Sequence, residues 1–102
     1  MTQERFRVRM EGTLQIRLPV AEMTPDEALA AVAFQERELQ LMQAAAAPAL
    51  ALLQRAATGG QTMPRWELSR AQETAATLLR VQQQAARLRA AVRAVQQPAS
   101  AD

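Results

Sequence analysis

Apolar and polar side chains alternate with a period of two through residues 5–18, a pattern that predicts β-strands. Gly12 interrupts the alternation near its middle, so the pattern indicates a β-hairpin over residues 1–20. One face of this hairpin would carry the apolar side chains, which are Phe6, Val8, Leu14, Ile16 and Leu18. The other face would carry Gln15 and four arginines, which are Arg5, Arg7, Arg9 and Arg17.

The apolar positions of both strands have even numbers, and this parity restricts how the strands can pair. Because opposite residues share a face, a two-residue turn at Glu11 and Gly12 would mix apolar and polar side chains on each face. A three-residue loop over residues 10–12, with Gly12 in the left-handed region, keeps the faces separate. We therefore predict the pairs Val8/Leu14, Phe6/Ile16, Arg7/Gln15 and Arg5/Arg17.

Beyond the hairpin the apolar spacing lengthens to three and four residues, which predicts a first helical region over residues 24–57. Thr24, Pro25 and Glu27 suit the N-cap, the first helical position and the capping box of a helix start. One apolar seam contains Ala28, Val32, Leu39, Met42, Ala46, Ala49, Leu53 and Ala56. A second stripe contains Phe34, Leu41, Ala45 and Leu52, so this helix is predicted to be buried on two sides.

Pro48 lies inside the first helical region. A proline has no N–H to donate to the carbonyl of residue 44, and its ring clashes with that carbonyl. The sequence therefore predicts a kink or a break near residues 44–47. Trp66, in the first turn of the next helix, is expected to cover this bend rather than to bind a ligand.

Gly59 and Gly60 end the first helical region, and Pro64 marks the start of a second one over residues 64–97. The apolar seam of the second helix alternates by three and four residues, which is a coiled-coil register. Its members are Ala71, Thr74, Leu78, Val81, Ala85, Leu88, Val92 and Val95. A short link between two long helices favours an antiparallel helical hairpin.

Together these elements predict an α+β fold, mostly α, with an N-terminal β-hairpin followed by a long antiparallel helical hairpin (ββαα). We expect one domain over residues 1–97 and a flexible tail over residues 98–102. The charges agree with antiparallel helices, because residues 22–40 hold five acids and one arginine, whereas residues 80–97 hold four arginines and no acid. Each exposed ion pair between them would contribute only about 0.2 to 1 kcal/mol, but together they favour this orientation.

The side-chain inventory argues against an enzyme. The chain has no His, Cys, Lys or Tyr, so it lacks an ordinary general base near neutral pH, a Schiff-base amine and a soft metal ligand. Glu36 and Glu38 are too close in sequence to act together from one helix face. No phosphate-binding loop, dinucleotide fingerprint or calcium loop is present. We therefore expect no catalytic residue, cofactor, metal site or small-molecule substrate.

Composition also suggests where the protein works. The N-terminal residues are polar and basic, and no apolar run approaches the ~20 residues of a membrane span, so we expect a cytoplasmic protein that makes no membrane contact. All twelve cationic side chains are arginine, and alanine and glutamine are abundant. This bias is typical of a GC-rich genome, either bacterial or that of a phage or another mobile element.

Two functions remain open from the sequence. The first is a non-enzymatic interaction or assembly protein. An isolated two-stranded hairpin is only marginally stable, and one helical hairpin cannot bury two broad apolar stripes on its helices. A homo-oligomer, most simply a two-fold dimer, would complete this packing. The predicted oligomer or helix-pair interface contains Leu78, Val81, Leu88, Val92 and Val95.

The second function is a small DNA-binding regulator whose hairpin arginines contact phosphates or enter a groove. The same arginine face would equally suit an acidic protein surface. In either case the predicted partner or nucleic-acid binding residues are Arg5, Arg7, Arg9 and Arg17.

Overall fold

The computed structural model describes residues 3–12, 14–59 and 62–96. Strands β1 (Arg5–Glu11) and β2 (Leu14–Pro19) are followed by a 3₁₀ turn at Val20–Glu22 and by helices α1 (Pro25–Ala57) and α2 (Arg65–Gln96). This order confirms the predicted ββαα fold, which is mostly α-helical. The predicted tail at residues 98–102 lies outside the described residues.

The hairpin forms with a register different from the predicted one. β1 and β2 are antiparallel, and the pairs nearest the turn are Glu11/Leu14, Met10/Gln15 and Arg9/Ile16. The register then shifts between Arg7 and Arg9, so that the later pairs are Arg7/Arg17, Phe6/Leu18 and Arg5/Pro19. Gly12 has a φ of 57°, as predicted for the left-handed turn position. The predicted three-residue loop and its four pairs are therefore wrong.

The physical reason for the correction is a β-bulge. Opposite residues share a face, so with a tight turn Phe6 can lie opposite an apolar residue of β2 only if one residue of β1 is unpaired. The chain places that extra residue at Val8, within the strand, and keeps a tight turn. Phe6 and Val8 are both buried, whereas Leu14 beside the turn is exposed. The bulge thus brings the apolar residues farthest from the turn onto one face.

The first helix begins as its sequence predicts. The backbone N–H of Glu27 donates to Thr24 Oγ1 at 3.1 Å, and the N–H of Thr24 donates to Glu27 Oε1 at 3.0 Å. This reciprocal pair is a capping box, which satisfies two donors that a helix start leaves without partners. At the other end Gly59 has a φ of 74°, and its N–H donates to the carbonyl of Ala56 at 3.2 Å.

The helix continues through Pro48 without a break. α1 is one element of 33 residues with Pro48 inside it, so the predicted break is wrong, and the predicted kink stays a prediction. Strong helix formers surround the proline, with alanines at residues 44–47 before it and alanine and leucine at residues 49–53 after it. Their favourable propensity offsets the single backbone hydrogen bond that Pro48 removes.

The chain divides into two compact units. The hairpin unit contains Met1–Arg37 and Gln84–Asp102, and the helical unit contains Glu38–Gln83. In the hairpin unit, Phe6 packs in one buried cluster with residues from the beginning of α1 and the end of α2. The members of this cluster are Phe6, Val20, Ala28, Ala31, Leu88 and Val92. The hairpin therefore closes over a pair of antiparallel helix segments within this unit.

The helical unit has a core of smaller side chains. Within its described residues, the fully buried apolar side chains are Ala46, Ala71 and Leu78. Alanine buries little area, so this core contributes much less hydrophobic stabilisation than the cluster around Phe6 and Leu88. Small residues at the contact also let the two helix segments of this unit approach closely.

Candidate functional site

The helical unit carries a row of side chains along one side of α1 that its own core does not cover. The row repeats by three and four residues, so its members fall on one face of the helix. We name it the α1 stripe, and it consists of Glu38, Leu41, Ala45, Pro48, Leu52 and Arg55.

Two adjoining concavities follow the α1 stripe. The first has a volume of about 400 Å³ and is lined by Glu38, Leu41, Met42, Ala45 and Val81. The second has a volume of about 250 Å³ and is lined by Ala45, Pro48, Ala49, Leu52, Glu67, Arg70, Ala71 and Thr74. Because Ala45 lines both, the two concavities form one groove between the α1 and α2 segments of the helical unit, which we call the stripe groove.

The floor of the stripe groove is apolar and open to water. Leu41 is 67% exposed, Ala45 and Pro48 are also exposed, and Leu52 is half-buried. Single exposed leucines are common on protein surfaces, but several apolar side chains that line one groove form a candidate binding surface. The stripe groove is therefore the strongest candidate functional site in the described residues.

Residues of α2 form the opposite wall of the stripe groove. Val81 faces the first concavity, and Arg70 and Thr74 line the second. Nearby, Arg80 Nη2 donates to Thr77 Oγ1 at 3.1 Å, and Thr77 Oγ1 donates to the carbonyl of Glu73 at 3.0 Å. This wall is more polar than the α1 wall, so the groove has an apolar side and a polar side.

The arginines predicted to bind a partner occupy different environments in the hairpin unit. The guanidinium carbon of Arg7 lies 4.5 Å from the ring centroid of Phe34 on α1, which is a cation–π contact. Arg7 is only half-exposed, because its side chain packs along that ring. Arg7 therefore covers Phe34, the first residue of the second apolar stripe predicted for α1.

The other three arginines are exposed but do not share one face. Arg9 is opposite Ile16, whereas Arg7 is opposite Arg17, and opposite residues lie on the same face of a sheet. Because of the bulge at Val8, Arg9 is thus on the face that carries Ile16, away from Arg17. Arg17 Nη2 donates to Gln15 Oε1 at 3.4 Å. The predicted single arginine face is therefore split in the structure.

Two ion pairs link charged segments within the hairpin unit. Arg89 Nη1 lies 3.6 Å from Glu36 Oε1, which is the kind of pairing between the two helices that the charge pattern predicts. Arg87 Nε lies 2.9 Å from Glu4 Oε2, so its acid comes from the N-terminal segment rather than from α1. Both pairs are substantially exposed, and each contributes little to stability.

The five predicted interface residues are distributed between the units. Leu88 and Val92 belong to the core of the hairpin unit, so they serve helix pairing within the chain. Leu78 is buried and Val81 half-buried in the helical unit. Val95 is 59% exposed and lines two concavities of the hairpin unit, of about 340 and 170 Å³. Of the five, Val81, Val92 and Val95 line concavities.

Sequence reasoning missed the role of three residues of the α1 stripe. Glu38, Pro48 and Arg55 were not assigned to a site, although each continues the spacing of Leu41, Ala45 and Leu52. That spacing is a signal visible in the sequence. Trp66 is 66% exposed, and the prediction that it covers the region of Pro48 stays a prediction.

Gln35 is the one fully buried polar residue among the described residues of the chain, with 6% of its surface exposed. Its side-chain Nε2 has no hydrogen-bond partner among those residues. A buried amide without a partner lowers stability, because the group loses its hydrogen bonds to water. It lies on α1 in the hairpin unit, three residues before Glu38.

Two other features are absent from the described residues. No group of three or more acidic side chains among residues 3–12, 14–59 and 62–96 is arranged to hold a metal ion. Neither described helix combines the length and the apolar character needed to cross a lipid bilayer. Comparison with protein-family models, curated proteins and solved structures found no match to this chain.

Proposed function

We propose that this protein is a non-enzymatic interaction and assembly protein that self-associates and binds other macromolecules through apolar surfaces of its helices. The observation that carries the proposal is the stripe groove, a continuous apolar depression whose floor includes the exposed Leu41 and Ala45. The hairpin arginines provide a second surface for a partner.

The contrast between groove and core supports the proposal energetically. The described core of the helical unit is built mainly from alanine, while larger apolar side chains remain in water. Removing Leu41 and Leu52 from water is favourable at about 25 cal/mol per Å² of apolar surface. A bound macromolecule would therefore add the packing that the helical unit does not supply itself.

The available chemistry is consistent with a binding role. The sequence contains no His, Cys, Lys or Tyr, and the stripe groove offers only carboxylate, guanidinium and hydroxyl groups at its rim. Such groups at the edge of an apolar floor are typical of protein–protein interfaces, in which a polar rim surrounds an apolar centre.

Nucleic-acid binding by the hairpin is the second candidate. Exposed Arg5 and Arg17 support it, because arginine is the residue that most suits contact with phosphate. The cation–π contact of Arg7 and the separate face of Arg9 reduce the continuous basic surface that a duplex would meet. For this reason we rank it below protein–protein association.

The test of the proposal compares two exposed leucines of the helical unit. Leu41 lines the stripe groove, whereas Leu79 is 53% exposed and lines neither groove concavity. We expect the full chain to self-associate at micromolar concentration, Leu41→Gln to weaken this association at least tenfold, and Leu79→Gln to leave it nearly unchanged. Sedimentation velocity over a range of concentrations measures all three.

The proposal fails if the two substitutions have equal effects, because the groove would then have no special role. It also fails if the wild-type chain stays monomeric at every concentration.

The nucleic-acid candidate is tested by measuring the affinity for a short DNA duplex, which should fall steeply as salt is added. Removing one arginine that contacts a phosphate should lower the slope of log affinity against log salt concentration by about one.

A further inference from the structure

We infer that the occupant of the stripe groove is a second copy of this chain, docked so that the two α1 stripes run antiparallel. Glu38 of one copy would then face Arg55 of the second copy. This inference rests on the proposed function and adds the orientation and the register of the two copies.

The first observation is the symmetry of the α1 stripe. Its spacings are three, four, three, four and three residues, so they read the same in both directions. If the α1 stripes of two copies are placed antiparallel, each residue of one stripe lies opposite a residue of the other stripe. The apolar pairs are Leu41 with Leu52 of the second copy and Ala45 with Pro48 of the second copy. Such self-complementarity is what a two-fold interface between identical chains requires.

The second observation is the charge at the two ends of the stripe. Glu38 stands at the beginning and Arg55 at the end, with only apolar residues between them in the row. An antiparallel dimer sets each carboxylate against a guanidinium of the other copy, once at each end of the interface. A parallel dimer would instead bring carboxylate beside carboxylate and guanidinium beside guanidinium. Charge complementarity therefore selects the antiparallel arrangement.

The third observation is the size and shape of the face. Residues 38–57 of α1 form about 30 Å of helix, and two neighbouring helix segments are about 20 Å wide, so the face is roughly 600 Å² in projection. A stable interface buries about 800 Å² of accessible surface per partner, and a ridged surface exceeds its own projection. Ala45 near the middle of the stripe also lets the two α1 helices approach closely.

The inference is tested by exchanging the two charges. Glu38→Arg and Arg55→Glu should each weaken the dimer about tenfold, because each creates two like-charged pairs. The double variant Glu38→Arg/Arg55→Glu should restore wild-type affinity. In a parallel dimer the double variant would gain nothing over either single variant. Glu22→Arg is the matched control, since Glu22 is exposed and lies outside the stripe, so it should change the affinity less.

Mixing the two single variants tests whether positions 38 and 55 lie in the dimer interface. A heterodimer preference is expected in either orientation, and the double variant decides between the orientations. One variant then carries only arginines at positions 38 and 55, and the other carries only glutamates. The antiparallel arrangement predicts that they form a heterodimer at least tenfold tighter than either homodimer, and that added salt reduces this preference. Sedimentation of the mixture, with one variant fluorescently labelled, measures the preference. Absence of heterodimer preference overturns the inference.

Spin labels report the orientation without relying on affinity. The chain has no native cysteine, so Ala57→Cys and Ala44→Cys each provide one label site. In the antiparallel register the two copies of residue 57 are about 30 Å apart along the helix, and the two copies of residue 44 about 8 Å. A parallel dimer gives equal distances at the two sites. Equal distances therefore overturn the inference.

The outcomes separate the two proposals. Suppose that association depends on Leu41, does not change when the charges at positions 38 and 55 are exchanged, and gives equal label distances at the two sites. The antiparallel dimer is then wrong, and the interaction role of the groove stands. If Leu41→Gln does not weaken association, the proposed function itself is wrong. A variant whose circular dichroism shows lost helix is excluded, and the label distances then decide the orientation.

Discussion

The two units of this protein use the same helices in different ways. In the hairpin unit, β1 contributes Phe6 to a buried cluster with Ala28, Leu88 and Val92, and Arg7 covers the ring of Phe34. In the helical unit, Leu41 remains 67% exposed. The second apolar stripe of α1 is thus covered at Phe34 and uncovered at Leu41 and Ala45.

This difference separates two roles of an apolar side chain. In the hairpin unit, apolar residues stabilise the fold because partners within the chain bury them. In the helical unit, similar residues on the same helix remain in contact with water, so they contribute little to folding and are available for binding. Amphipathic spacing alone does not distinguish these roles, since it describes the helix and not what packs against it.

The largest effect is expected from truncating a leucine of the covered region. Leu88 is 1% exposed, so Leu88→Ala should lower the free energy of unfolding by about 2–5 kcal/mol through lost burial and a cavity. Leu41→Ala should change it by no more than about 0.5 kcal/mol at a concentration where the chain is monomeric. Urea unfolding followed by circular dichroism measures both. Equal effects would show that the two regions do not differ as described.

A smaller effect of opposite sign is expected at Gln35. Its buried Nε2 has no hydrogen-bond partner among the described residues, so Gln35→Met, which keeps the side-chain length, should raise the free energy of unfolding by about 1 kcal/mol. Gln43→Met on the same helix is the control, because Gln43 is exposed and should have almost no effect. Destabilisation by Gln35→Met would show that the amide makes a favourable contact.

The contact of Arg7 with Phe34 should contribute about 0.5–1 kcal/mol. A double-mutant cycle with Arg7→Gln and Phe34→Leu isolates this coupling from the other contacts of each residue. Thermal unfolding of the four proteins gives the coupling energy. A cycle with Arg17→Gln in place of Arg7→Gln should give no coupling. Additive effects of Arg7→Gln and Phe34→Leu would contradict the contact.

The smallest effect concerns the ion pair of Arg87 with Glu4. Both side chains are about half exposed, so their coupling should be only about 0.2–1 kcal/mol. It should decline as salt is added, because surface charges are screened over about 10 Å at 0.1 M ionic strength. A cycle with Glu4→Gln and Arg87→Gln, measured at low and high salt, tests this. A coupling that salt does not reduce would indicate a more buried pair.

Much of the fold was predictable because its signals are local. The capping box of Thr24 and Glu27 and the glycines at positions 12 and 59 fix where elements begin and end, and the change of apolar period separates strands from helices. The parity of the hairpin led to the prediction of a three-residue loop, which is wrong. The structure instead has a bulge at Val8, and the sequence did not reveal it because a loop and a bulge satisfy the same parity.

The site was less predictable because it depends on packing between distant segments. No local pattern shows that Arg7 would rest on Phe34, or that Arg87 would pair with Glu4, which is 83 residues away. Likewise, the spacing of the α1 stripe was visible, but its exposure was not. In the same way, the position of Trp66 in the first turn of α2 does not reveal which residues pack against it.

The mass of the full chain in solution tests most directly whether the helical unit presents the stripe groove for association. Multi-angle light scattering should give about 22 kDa at micromolar concentration, twice the 11.2 kDa of one chain. Under the same conditions Leu41→Gln should shift the mass towards that of one chain, while Leu79→Gln should not. A wild-type mass of 11.2 kDa at every concentration would contradict the account.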